Sequence, residues 1–167
     1  MTKETNSEQG SDPFAELVGQ VAKGCWLGYG SVLFLEFGDR VAPEDLKKHK
    51  SGEYSLQCGE ILWRIEHGDR VLAGSEDERP MMEAAINEIN GRSFVSAEIC
   101  GTTGDSILRF AGGVVLKTFV LTSEEDARWS FRKGAGEFKM VGPLLAKPVA
   151  TGDILTTLPE TSADDAE

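Results

Sequence analysis

Two segments repeat apolar residues at the spacing of an α-helix. The first covers residues 13–23, and its Pro13 fits a first turn, where no backbone hydrogen bond is lost. The second covers residues 77–90, with Ser75 and Asp77 as candidate caps. Each pattern predicts an amphipathic helix with one apolar stripe. The stripes are Phe14, Leu17, Val18 and Val21 in the first segment and Met82, Ala85, Ile86 and Ile89 in the second.

Between and after these helices, runs of β-branched and aromatic residues are interrupted by glycine turns. Glycine tolerates the positive φ of tight hairpin turns, so each interruption predicts a hairpin. The similar stretches EFGDRV at 36–41 and EHGDRV at 66–71 are then one kind of turn used twice. The runs at 31–37 and 113–121 are too apolar to be open on both sides, which predicts central strands. The predicted turns are Gly38-Asp39, Gly68-Asp69, Gly112-Gly113 and the pair Gly134 and Gly136.

These elements predict an α+β fold: an antiparallel, hairpin-rich sheet or pair of sheets with two amphipathic helices packed on them. We expect one domain over residues 12–150, a disordered N-terminus at 1–11 and an acidic flexible tail at 151–167. Setting Phe37 against Phe110 aligns FLEFGDRV with ILRFAGGV, and Trp63 of the next hairpin then corresponds in order to Trp129, although the spacing between the turns differs. This order predicts an internal duplication with halves 26–75 and 93–142.

The chain of 167 residues has a formal net charge of −11, which disfavours a phosphate backbone and favours a basic protein partner. Its densest basic cluster, KKHK at 47–50, is typical of a solvated loop, so we expect no nucleic-acid binding. No apolar run has the length of a membrane span or the character of a secretory signal. The three cysteines form no paired framework, and together these features predict a cytoplasmic protein without a membrane partner.

Catalytic signatures are absent from the sequence. The two histidines have no metal-binding spacing, and no nucleotide or nucleophile motif is present, so we expect no catalytic residue, no metal and no cofactor. The residues that remain as binding candidates are carboxylates beside glycine turns and two tryptophans in alternating runs. The tryptophans fit either a core or an aromatic binding platform. The candidates are Glu36, Glu66, Asp105, Trp63 and Trp129.

From Trp63 to Trp129 the order of motifs resembles a pattern found in small uncharacterised bacterial proteins. The motifs are WRI at 63–65, AGSED at 73–77, the second helix, GDSILRFAGGVVLKTF at 104–119, and the tryptophan before the final alternating run. Some proteins with this pattern are associated with polymorphic toxin loci as immunity proteins. The resemblance implies an α+β domain without known catalysis, and it assigns no catalytic residue.

Three functions fit these observations. The first is a noncatalytic binding protein, of the immunity type, that blocks a basic toxin through an acidic surface. The second is a small-molecule-binding protein or enzyme whose pocket is lined by Glu36, Glu66 and Asp105 at an open end of the sheet. The third is a homo-oligomeric structural protein that associates through the edges of its strands.

Overall fold

The computed structural model describes residues 13–40, 52–59, 61–100, 103–121, 129–134 and 139–141. Within these ranges the chain forms two helices and two antiparallel sheets, which makes it an α+β protein. The elements, in chain order, are α1 Pro13–Leu17, β1 Trp26–Leu27, β2 Leu33–Arg40, β3 Gly52–Cys58, β4 Leu62–His67, β5 Arg70–Gly74, α2 Arg79–Asn87, β6 Phe94–Ile99, β7 Ser106–Phe110, β8 Val114–Phe119, β9 Trp129–Lys133 and β10 Lys139–Val141.

Each sheet has five strands. Sheet I has the order β1-β2-β3-β9-β10, and sheet II has the order β5-β4-β8-β7-β6. Sheet I therefore combines three strands from the start of the described chain with a hairpin from its end, whereas sheet II is built from the five consecutive strands between them. The runs at 31–37 and 113–121 form β2 and β8, which have a neighbouring strand on each side, so the prediction of central strands is confirmed.

The segment 19–23 connects the two sheets along one edge. The N–H of Gly19 donates to the carbonyl of Phe94 beside sheet II (2.9 Å), and the N–H of Lys23 donates to the carbonyl of Glu36 in sheet I (2.7 Å). The prediction of a helix over 13–23 is wrong after Leu17, because Gly19 turns the backbone to a φ of +85°. The next residues instead form isolated bridges, Val21 with Ser93 and Ala22 with Phe37.

Aromatic rings from both sheets meet in the core. The rings of Phe37 and Phe110 lie parallel with their centroids 6.5 Å apart. Phe94 packs edge-on against both, at 5.9 Å and 5.7 Å. Phe14 of α1 packs edge-on against Trp129 at 6.2 Å, so the short helix closes the same core. The sheets are therefore held together by one continuous apolar cluster.

The two similar stretches at 36–41 and 66–71 have different structures. Gly68-Asp69 is the turn of the β4–β5 hairpin, as predicted. Gly38-Asp39 is not a turn, because β2 continues to Arg40 and its register with β3 shifts between Phe37 and Arg40. Gly38 takes a φ of +75°, which a β-bulge accommodates. A glycine before an aspartate therefore marks a bulge in one case and a hairpin in the other.

The remaining predicted turns and caps have mixed outcomes. Gly112-Gly113 lies in the turn between β7 and β8, as predicted, whereas Gly136 lies outside the described residues. The second helix is Arg79–Asn87, and the predicted caps are wrong. The Ser75 hydroxyl accepts instead from the backbone N–H of Trp63, and the Asp77 carboxylate accepts from the backbone N–H of Gly74.

Several predictions fall on residues that the structure does not describe. They are the disordered N-terminus 1–11, the basic cluster 47–50 and the acidic tail 151–167. Neither helix within the described ranges has the length and apolar character needed to cross a bilayer.

Replacing Phe37 by Ala should lower the free energy of unfolding by about 3–5 kcal/mol, since it leaves a cavity where the two sheets meet. The matched control is Leu121→Ala, whose side chain is 71% exposed and which should change stability by less than about 0.5 kcal/mol. Urea unfolding of both variants measures the difference. Equal losses in the two variants would contradict the assignment of Phe37 to the centre of the core.

Candidate functional site

A buried carboxylate in the second strand of sheet I accepts hydrogen bonds from groups on both neighbouring strands. Glu36 is 1% exposed, and its Oε1 accepts hydrogen bonds from the Trp26 indole N–H (3.2 Å) and the Ser55 hydroxyl (2.9 Å). Its Oε2 accepts from the backbone N–H of Gly52 (3.0 Å). Alternation with the core residues Leu35 and Phe37 favours a solvent-facing side chain for Glu36. The structure differs, because the outward face of sheet I is also buried at this position.

The bulge in β2 creates the place for this carboxylate. Across the strands, Glu36 is paired with Ser55, and beyond the bulge Arg40 is paired with Gly52. A Cβ on Gly52 would collide with the carbonyl oxygen of Phe37, so glycine lets the two backbones approach closely. This approach brings the Gly52 N–H within reach of Glu36. A buried charge without such donors would be strongly unfavourable.

Above Glu36, an aromatic surface lies on the outward side of sheet I. The rings of Trp26 and Phe34 are stacked with centroids 4.0 Å apart and planes 3° apart, and both are partly exposed. Tyr29, in the loop between β1 and β2, is 97% exposed. A shallow groove of about 620 Å³ runs over these rings. We call it the aromatic groove, and it is lined by Trp26, Tyr29, Val32, Phe34, Gln57 and Arg79.

Arg79, at the start of α2, fastens the helix to the edge of sheet I. Its Nη2 and Nη1 donate to the carbonyls of Leu27 (3.0 Å) and Gly28 (3.2 Å), and its Nε donates to Glu83 (2.8 Å). A second cavity of about 250 Å³ lies between β1 and α2, and Arg79 lines both cavities. The guanidinium therefore occupies the edge of β1 where another strand would otherwise pair.

The segment that carries Arg79 is strongly acidic. Residues 75–90 contain five carboxylates and one arginine, a net charge of −4. All five carboxylate residues are exposed, and Glu83 also lines the smaller cavity. This acidic segment begins beside the aromatic groove, which Arg79 lines. The five residues are Glu76, Asp77, Glu78, Glu83 and Glu88.

The structure does not bring the three predicted carboxylates together. Glu36 belongs to sheet I, whereas Glu66 lies in β4 of sheet II and forms ion pairs with Arg64 (2.7 Å) and Lys117 (2.9 Å). Asp105 precedes β7, and its Oδ1 accepts from the N–H of Val120 (2.8 Å). These contacts account for Glu66 and Asp105 as structural groups of sheet II.

The two predicted tryptophans are buried, each 2% exposed. The indole N–H of Trp63 donates to the carbonyl of Ser31 (2.8 Å), and that of Trp129 donates to the hydroxyl of Ser106 (3.2 Å). Each bond runs between the two sheets or their connecting loops. The exposed aromatic surface is formed instead by Trp26, which the sequence did not single out.

Two of the three thiols are unsuited to nucleophilic chemistry. Burial raises the pKa of Cys25 and of Cys58 to about 12, so both stay protonated at neutral pH. Cys100 is exposed. Among the described residues, no group of three His, Cys, Asp or Glu side chains could hold a metal ion.

Sequence reasoning missed the residues of the aromatic groove. One signal was available: Tyr29 stands between Gly28 and Gly30 in WLGYGS, and a large aromatic at the tip of a glycine turn has no core to enter. The roles of Trp26 and Arg79 depend on contacts with distant elements and had no local signal. No family model matches the chain, and no solved structure matches it.

Replacing Glu36 by Gln should lower the free energy of unfolding by about 2 kcal/mol, because a carboxamide turns an NH₂ group toward a donor and leaves that donor unsatisfied. The indole N–H resonance of Trp26 should shift in the same variant. The control is Glu53→Gln, an exposed glutamate next to Gly52. Urea unfolding measures both variants. A change as small as that of the control would show that the buried charge contributes nothing.

Glu66 should make stability depend on pH. Partial burial acts to raise the pKa of its carboxyl, but hydrogen bonds and charges from Lys117 and Arg64 outweigh burial and lower it below the ordinary 4.5. This stabilisation is present above about pH 4.5 and is lost as the pH falls through the lowered pKa. Between pH 6 and pH 3, the melting temperature should therefore fall further in the native protein than in Glu66→Gln. Parallel curves would contradict this role.

Proposed function

We propose that this chain is a noncatalytic binding protein that docks a basic protein partner at the aromatic groove, and that this partner is a toxin which it inhibits. The observation that carries the proposal is the fully exposed ring of Tyr29 beside the stacked rings of Trp26 and Phe34, at the border of the acidic segment 75–90.

The aromatic residues supply the affinity in this proposal. Tryptophan and tyrosine dominate the binding energy of protein interfaces, because large rings bury much area at little cost in conformational entropy. A tyrosine that is 97% exposed gains nothing from folding, so its ring is available to a partner. Trp26 and Phe34 extend the same surface across β1 and β2.

The acidic segment supplies the steering. A net charge of −4 over residues 75–90 attracts a positively charged partner at long range and repels an acidic one. Exposed charges are screened by salt over about 10 Å at 0.1 M. Association should therefore be fast at low ionic strength and weaken as salt is added.

The groove is also held rigid before binding. Glu36 fixes the indole of Trp26 from below, and Arg79 fixes the carbonyls at the tip of β1. A surface that is already ordered loses less entropy when it binds. Both contacts thus favour a binding role over a purely structural one for this part of sheet I.

The toxin-directed part of the proposal draws support from the resemblance over residues 63–129. The acidic surface is consistent with it, since a basic enzyme that acts on nucleic acid is blocked most readily by an acidic inhibitor. In such a mechanism this chain performs no chemistry and covers the partner's working surface.

We further propose that the two halves arose by internal duplication, and the register of the strands supports this. Trp63 in β4 pairs with Thr118 of β8, and Trp129 in β9 pairs with Cys58 of β3. In turn, Cys58 pairs with Leu33 of β2, and Thr118 pairs with Ser106 of β7. In this register each strand of one half corresponds to a strand of the other half, and corresponding strands pair with corresponding neighbours. Phe37 and Phe110, which correspond in this alignment, stack on each other as residues near a twofold axis do.

The corresponding positions differ where the groove lies. By the same register, the counterpart of Trp26 is Glu98, and the counterpart of Glu36 is Arg109. These two residues form an exposed ion pair on sheet II (2.8 Å). Sheet II therefore presents a charged surface where sheet I presents aromatic rings over a buried carboxylate. The difference supports a binding role confined to sheet I.

Photo-cross-linking tests the docking site without knowledge of the partner. A benzoylphenylalanine at position 29 should cross-link a basic protein in a lysate of the native host at low ionic strength, and 0.5 M NaCl should reduce the yield. The same group at position 121, also exposed, is the matched control. Adding Glu83→Lys should reduce capture, whereas Glu98→Lys on sheet II should not. The captured protein should stop growth when expressed alone and not when co-expressed with this chain.

Equal capture at positions 29 and 121 would overturn the docking site. Capture of a second copy of this chain at position 29 would replace the proposal with a homo-oligomeric role. A captured partner that is harmless when expressed alone would leave the binding function and remove its toxin-directed part.

A further inference from the structure

The edge of the aromatic groove already binds one guanidinium, that of Arg79. Two carbonyl oxygens, of Leu27 and Gly28, and the carboxylate of Glu83 accept its hydrogen bonds at 2.8–3.2 Å. Planar guanidinium matches such a set of acceptors in a way that a lysine ammonium does not. These acceptors are taken up by Arg79, and its guanidinium shows the kind of cation that the border of the groove accommodates.

Aromatic rings next to these acceptors add a second feature that suits arginine. A guanidinium stacks on tryptophan or tyrosine faces through its plane and its charge. Cations lie over aromatic rings elsewhere in the chain: Arg64 over Phe119 and Lys133 over Tyr54, each at 5.5 Å from the ring centroid. Tyr29 offers an exposed ring within the groove that Arg79 borders.

The charge around the groove also favours a cation. Glu83 lines the smaller cavity beside Arg79, and Glu76, Asp77 and Glu78 precede the helix on exposed positions. Only one positive residue, Arg79, lies in this segment, so a further cation would still enter a region of net negative charge.

From these observations we infer that the aromatic groove recognises an arginine-bearing segment of the basic partner, with the guanidinium stacked on the ring of Tyr29 and its charge attracted by the adjacent acidic segment 75–90. The inference rests on the proposed function and specifies the chemistry of the partner. The shallow, open groove of about 620 Å³ fits an extended segment rather than a deeply buried small molecule.

The three tryptophans provide a direct readout. Their indole N–H groups bond to three different acceptors, and only Trp26 is partly exposed while Trp63 and Trp129 are 2% exposed. In ¹H–¹⁵N spectra of the full chain, a peptide of alternating glycine and arginine should move the Trp26 indole signal alone, with a Kd on the order of 1 mM. The Trp26→Phe variant assigns the signal.

Matched peptides separate arginine recognition from simple charge attraction. The citrulline peptide has nearly the same shape as the arginine peptide without the charge, and it should cause no shift. The lysine peptide has the same charge, and it should bind at least threefold more weakly. A glutamate peptide should not bind.

Variants of the chain locate the contact. Tyr29→Ala and Glu83→Gln should each weaken arginine-peptide binding at least threefold. Leu121→Ala and Glu98→Gln, which change exposed residues away from the groove, should leave it unchanged. Because Tyr29 is 97% exposed, its variant should keep the native spectrum, so a loss of binding reports the contact itself.

Three results would overturn the inference: no movement of the Trp26 signal at 10 mM peptide, equal binding of the arginine and lysine peptides, or binding that Tyr29→Ala leaves intact. If position 29 cross-links a partner while the arginine peptide fails, the proposed function stands and the arginine assignment falls. If the peptide binds while no partner is captured, the groove chemistry stands and the proposed function falls.

Discussion

The rest of the structure depends on one crossing of the chain. β3 ends at Cys58 in sheet I, and β4 begins at Leu62 in sheet II, so only three positions of the sequence separate the two sheets at this point. A connection this short keeps the two sheets adjacent and places the β4–β5 hairpin beside β8. The space left beside β3 is then filled by β9. Neither sheet has its five strands until both halves of the chain contribute.

The candidate site combines a stiff interior with an exposed surface. Beneath the groove, Glu36 binds Trp26, Ser55 and Gly52, so the aromatic ring above it is positioned by a charged acceptor. At the edge, Arg79 donates to the carbonyl of Leu27 in β1 and to that of Gly28 in the loop that follows. The hydrogen bonds of these buried and partly buried polar groups thereby fix the orientation of the groups that form the surface. A cluster of this kind is typical of a preorganised binding surface.

Local sequence patterns were sufficient for elements whose partners are near in the chain. The alternating runs and glycine turns located the β4–β5 and β7–β8 hairpins, because a hairpin needs only adjacent residues. The same reasoning failed where distant segments meet. Gly38 in a bulge and Gly68 in a turn have almost identical neighbours, and only the presence of β3 beside β2 separates them. The burial of Glu36 was missed for the same reason, since alternation predicts two faces but does not tell which face is covered.

The pairing of β3 with the distant strand β9 has a consequence for synthesis on the ribosome. β3 acquires its second neighbour only when β9 has been translated, which is about 75 residues after Cys58. At 5–20 residues per second this takes roughly 4–15 s, during which one edge of β3 is unpaired. Pairings this distant in sequence also raise contact order and slow folding. The nascent chain therefore has an interval in which an unpaired strand edge is open to edge-to-edge pairing with other chains.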